Sequence, residues 1–223
     1  QELNQFMGRD KAWETMEEGI AICHQADVAP AFNTCLAAAD FYNGKFEKIM
    51  EFAKEKNIAL VQIIVPKAAG AWLDKPEGSF KMQQEIKNKI YQYNLDQEYQ
   101  EYPTISAQAI EEDKNHFGCT AGGIDRFYIN AKGDLQPCEF LNISFGNLAE
   151  DDFREIYHEM RSCFDPPGQT WLCQQKSEKI LDLYQKYDLE ELPLSREISK
   201  EVYCDLDTGL ETELYKKIIE IKP

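Results

Sequence analysis

Apolar residues recur at steps of three and four through Trp13, Met16, Ile20 and Cys23, which predicts an amphipathic helix over about residues 10–25. Pro30 cannot extend that helix, and Ala31 to Leu36 reads as a strand. Gly44 precedes a second helix with Phe46, Ile49, Met50 and Ala53 on one face. Asn57 ends it, and Ile58 to Val65 follows as a near-continuous apolar run of the kind found in strands buried on both faces of a parallel sheet. A loop with Pro66, Gly70, Trp72, Pro76 and Gly78 leads to a long polar helix near 79–99, then to a short strand, Thr104 to Ile110. The order α-β-α-β-α-β makes a parallel sheet with right-handed crossovers and an open or incomplete edge the economical arrangement.

The pattern changes after about Glu112. Ile124 to Asn130 and Leu135 to Phe140 flank Ala131-Lys132-Gly133-Asp134, a β-hairpin signature with Gly133 in the left-handed position. A helix carrying Phe153, Ile156, Tyr157 and Met160 comes next, and Pro166-Pro167-Gly168 stops the chain again. From about residue 176 the sequence reads as charged helices broken at Pro193 and near Gly209.

Composition narrows the function. The chain has 223 residues, 43% hydrophobic, enough for a sizeable core. Its 24 basic against 40 acidic residues give a net charge of −16, which disfavours nucleic acid as a partner. No apolar run approaches the ~20 residues of a membrane span, so no membrane partner is expected. Gln1 stands where an initiator Met would, and no signal segment follows it. Seven widely spaced cysteines do not form a disulfide framework, and reduced thiols in the cytoplasm fit better.

The cysteines carry the candidate chemistry. Cys119 precedes the hairpin and Cys138 lies on its returning strand, while Cys163 and Cys173 follow beside residues that let the chain bend back. Four converging thiolates suit a soft metal or an iron–sulfur site. Zinc organising a stand-alone binding module stays open, although its paired Cys-x-x-Cys knuckles are absent. Cysteines that merely fill a core also stay open. His116, His24 and His158 read as loop, helix-end and surface histidines. Trp72 and its loop follow a strand end, where α/β sheets bind ligands.

The stretch CTAGGIDRFYINAKGDLQPC from Cys119 to Cys138, followed by Phe145-Gly146-Asn147 and an amphipathic helix, resembles the auxiliary-cluster region of radical S-adenosylmethionine (radical SAM) enzymes. That region is called SPASM, or twitch in its shortened form. The upstream 110 or so residues resemble the second half of the family's partial (β/α) barrel. The resemblance implies an α/β fold in three regions. Residues 1–112 would be part of a partial TIM-like barrel, 113–175 a small α+β SPASM/twitch-like domain, and 176–223 a helical charged tail. It further implies one auxiliary [4Fe–4S] cluster on Cys119, Cys138, Cys163 and Cys173, with Cys163 the weakest member. The family's radical-generating Cys-x-x-x-Cys-x-x-Cys loop is absent from this sequence. The expectation is therefore a C-terminal fragment of a longer radical SAM oxidoreductase or maturase. S-adenosylmethionine and a second [4Fe–4S] cluster would belong to the intact protein. Its partners would be a small-molecule or peptide substrate and an electron donor such as a flavodoxin or ferredoxin.

Overall fold

The computed structural model describes residues 2–67, 69–73, 84–164 and 168–221. The chain separates into two compact units, Gln1–Ile64 with Met82–Gln108 and Val65–Lys81 with Ala109–Pro223.

In the first unit the helices α1 (Glu2–Met7) and α2 (Ala12–Gln25) precede β1 (Ala31–Cys35). Then come α3 (Ala38–Tyr42), α4 (Lys45–Glu55), β2 (Leu60–Ile64), α5 (Gln84–Leu95) and β3 (Thr104–Ala107). The strands form one parallel sheet in the order β1-β2-β3, as the alternating pattern predicts, and β1 is an edge strand. Register places Phe32, Val61 and Ile105 in one row. Val61, Ile63, Ile105 and Ala107 are buried there, together with Phe46, Met50 and Ala53 of α4 and Ile86 and Ile90 of α5. The alternate row, Asn33, Gln62 and Ser106, is polar.

Three boundaries differ from the sequence expectation, each for a local reason. Ile58 donates its N–H to Ala53 at 2.9 Å to close the end of α4, so β2 starts only at Leu60. Gln62 is exposed, so β2 buries one face fully and not both. The last strand ends at Ala107 because Gln108 begins a short helix, α6 (Gln108–Glu111). Of the helix expected near 79–99, the described part runs from Gln84 to Leu95, where extended Asp96 breaks it; residues 74–83 lie outside the described residues.

The second unit holds the antiparallel pair β4 (Tyr128–Ile129) and β5 (Leu135–Gln136), with Gly133 at φ +92° in the turn. Both strands are shorter than their apolar runs. Pro137 has no N–H to continue the ladder. Leu135 instead bonds on its other side, donating to Gly146 at 2.8 Å and accepting from Phe145 at 2.9 Å. Helices α7 (Phe153–Cys163), α8 (Leu172–Gln175), α9 (Ser177–Lys186), α10 (Arg196–Tyr203) and α11 (Glu213–Ile221) complete the unit. Asp152 caps α7, accepting from the N–H groups of Arg154 and Glu155 at 2.9 and 3.2 Å. Leu135, Phe145, Ile156, Met160 and Phe164 share one core with Ile180, Leu183 and Val202, and Phe145 stacks on Tyr203 with centroids 4.5 Å apart. Among the described residues no helix is long and apolar enough to cross a membrane.

Candidate metal centre

Two backbone hydrogen bonds bring the cysteine-bearing loops together. Cys119 donates its N–H to the carbonyl of Gly168 at 2.9 Å, which joins it to the segment leading into α8 and Cys173. Gly122 donates to the carbonyl of Pro137 at 2.8 Å, which joins the same loop to the residue before Cys138. Only glycine fits at 122: its φ is +74°, and a Cβ would lie 2.1 Å from Cγ of the Phe164 ring.

Cys119, Cys138 and Cys173 consequently occupy one electrostatic neighbourhood. Cys138 is 6% exposed. Burial pushes its thiol well above the ordinary value, and Cys173 and Cys119 add repulsion. Burial likewise raises Cys173, to about 11, with Lys67 pulling against it and Cys119 and Glu112 adding to it. Cys119 is raised by burial too, offset by the backbone N–H groups of Ala121 and Leu172 at its sulfur. The N–H of Phe140 serves Cys138 in the same way. Without a counter-cation these thiols hold their protons, whereas a metal-bearing group would displace them.

Cys163 stands apart from this set. It ends α7, half-buried, and its thiol answers to burial, to a Ser162 hydrogen bond, and to Glu159 and Cys204. Of the four cysteines expected to act together, Cys119, Cys138 and Cys173 thus feel one another's charge, and Cys163 does not join them. Among the described residues no group of three or more His, Cys, Asp or Glu side chains is arranged to hold a metal ion as it stands. The donor chemistry nevertheless fits an anionic iron–sulfur group. Cys138 is buried and Cys119 and Cys173 are part-buried, peptide N–H groups meet the sulfurs of Cys119 and Cys138, and a buried ammonium lies beside them.

That ammonium is Lys67, which is 8% exposed. Its Nζ sits 3.2 Å from the centroid of the Trp171 ring, and the indole Nε1 donates to the carbonyl of Glu112 at 2.7 Å. The Glu112 carboxylate pairs with Arg126, which also donates to Thr120 at 3.3 Å. Sequence reasoning picked Trp72 from the loop after β2 and passed over Lys67. The available signal was a lysine straight after the apolar run and Pro66, where exposure is not expected. Trp72 itself is 37% exposed on a single 3₁₀ turn, Gly70–Trp72. His116 is oriented by Asp113, Nδ1 to Oδ1 at 2.9 Å, and His24 meets the Lys56 carbonyl at 2.9 Å.

Comparison with known proteins bears on this site. Residues 119–175 match the family model of SPASM, an iron–sulfur cluster-binding domain. The chain is similar to an AdoMet-dependent heme synthase from Methanosarcina barkeri, 24% identical over 196 residues, covering 77% of this chain. It spans about 55% of the length of that relative. No solved structure matches the chain. The resemblance read from Cys119 to Cys138 and from Phe145-Gly146-Asn147 thus holds, and the chain carries a SPASM iron–sulfur region of the kind found in radical SAM enzymes.

Proposed function

We propose that this chain is the part of a radical SAM oxidoreductase that carries one auxiliary [4Fe–4S] cluster, in a shortened, twitch-like region, with Cys119, Cys138 and Cys173 as ligands. The backbone bonds that tie the Cys119 loop to the segments bearing Cys138 and Cys173, inside the matched stretch, carry the reading. When bound, such a cluster supplies a one-electron relay or an iron that anchors substrate. The chain's own residues do the rest. The N–H groups of Ala121, Leu172 and Phe140 stabilise thiolate charge on Cys119 and Cys138. The bonds from Cys119 to Gly168 and from Gly122 to Pro137 hold the loops at fixed separation before any group arrives. Cys163, whose charged neighbours are Glu159 and Cys204, is the remaining candidate, and the iron content of a C163S variant tests whether it is a ligand.

The parallel sheet supports the barrel part of the reading. The row Asn33, Gln62 and Ser106 puts polar side chains on the sheet face opposite Val61 and Ile63, and the edge at β1 allows further strands to pair. The absence of a Cys-x-x-x-Cys-x-x-Cys loop assigns S-adenosylmethionine, the second [4Fe–4S] cluster and the radical step to residues outside this sequence. The substrate is a small molecule or peptide, and the electron donor a flavodoxin or ferredoxin.

Anaerobic reconstitution of the chain tests this. Iron and sulfide in equal amounts, visible absorption and no 5′-deoxyadenosine from S-adenosylmethionine are expected. Zinc in place of iron, or 5′-deoxyadenosine formed by this chain alone, would overturn it.

A further inference from the structure

A lysine ammonium is among the costliest groups to bury unless an anion or hydrogen bonds compensate it. Lys67 is buried, and its Nζ makes no hydrogen bond among the described residues. Among the described residues its close partner is the face of Trp171, with the ring centroid 3.2 Å away, and a cation–π contact offsets only part of the cost of burying an ammonium. The indole is fixed by its bond to the Glu112 carbonyl, so it holds the ammonium in place rather than following it. The groups whose charge reaches Lys67 are Cys173, Glu112, Cys119 and Cys138. Glu112 is already engaged by Arg126, which leaves the three thiols.

Three cysteine thiolates around an iron–sulfur core carry net negative charge, which is the missing compensation. We propose that Lys67 is a positioning residue of the cluster site. Clamped on Trp171, its ammonium is the counter-charge to the cluster, donates an N–H to a cluster or thiolate sulfur, and sets the cluster's potential. This rests on the reading that Cys119, Cys138 and Cys173 hold a cluster. Reduction adds an electron beside a fixed positive charge, so Lys67 favours the reduced state. Protein charge and hydrogen bonds to sulfur are established levers on such potentials.

The test compares the reconstituted full-length chain with its K67M and K67R variants. Each is assayed for iron and sulfide and then titrated with reductant while the paramagnetic reduced cluster is followed by electron paramagnetic resonance. K67M with full iron should show reduction at least tenfold less favourable, a fall of ~59 mV or more for one electron, and K67R should stay closer to the parent. Loss of iron from K67M but not from K67R supports the same assignment, because charge separates the two. An unchanged potential in iron-loaded K67M, or equal iron loss in both variants, overturns the role of Lys67 and leaves the cluster in place. A parent chain that takes up no iron instead removes the cluster reading and this inference with it.

Discussion

Gly122 donates its backbone N–H to the carbonyl of Pro137 at 2.8 Å, and that bond sets the spacing between the Cys119 loop and Cys138. A side chain at 122 has no room, since a Cβ would fall 2.1 Å from the Phe164 ring at φ +74°. Gly122→Ala should cost roughly 2–4 kcal/mol, overpacking plus left-handed strain, in urea denaturation. Gly44 has a similar φ of +81° with nothing within 4 Å, so Gly44→Ala should cost only ~1–2 kcal/mol from backbone strain. G122A should also lose iron on reconstitution, and G44A should not.

The second prediction concerns acid stability. Glu159 accepts from Tyr203 at 2.8 Å and from Arg196 at 2.6 Å, and Arg196 also reaches Asp151 at 3.0 Å. Burial alone would raise the Glu159 carboxyl, but these two donors outweigh it and hold it below its ordinary value. A group depressed in the folded state contributes fully above the unfolded value of about 4.3 and is lost as pH falls through the lower folded one. Glu159→Gln should therefore cost about 1 kcal/mol at neutral pH. Denaturation midpoints of parent and variant should converge below about pH 4.

Asn147 explains why the Gly146-Asn147 pair follows the hairpin. Its Nδ2 donates to the Lys132 carbonyl at 2.9 Å and to Asp134 at 3.0 Å, and its Oδ1 accepts from Ala149 at 2.9 Å. The side chain thus closes the turn at Gly133 and leads the chain towards α7. Asn147→Ala should destabilise the second unit by about 1–3 kcal/mol, read as a lowered melting midpoint.

Periodicity and turn chemistry made most elements legible. The stripe at Phe46, Met50 and Ala53 became the buried face of α4, and Gly133 became the hairpin's left-handed residue. Strand ends were less legible because they depend on competing hydrogen bonds, such as Ile58 to Ala53, that pattern does not encode. The charged tail concealed its role. Ile180, Leu183 and Val202 enter the same core as Leu135, although charges dominate the surface of α9 and α10. Spacing singled out Cys119 and Cys138, and the place of Cys163 at a helix end already marked it as the weakest of the four. Which way a thiol faces at the end of α7 is decided by how that helix packs, through Ile156 and Met160. Lys67 and Trp171 lie far apart in sequence, and nothing local announces their contact.

The central claim is that Cys119, Cys138 and Cys173 hold one iron–sulfur cluster. Its most direct test is the iron content of anaerobically reconstituted C138S beside C204S, in the same full-length chain. Cys138 is buried among the other two thiols and Cys204 is exposed, so C138S should lose its bound iron and visible absorption while C204S keeps both. Equal iron in C138S and the parent chain would contradict the account.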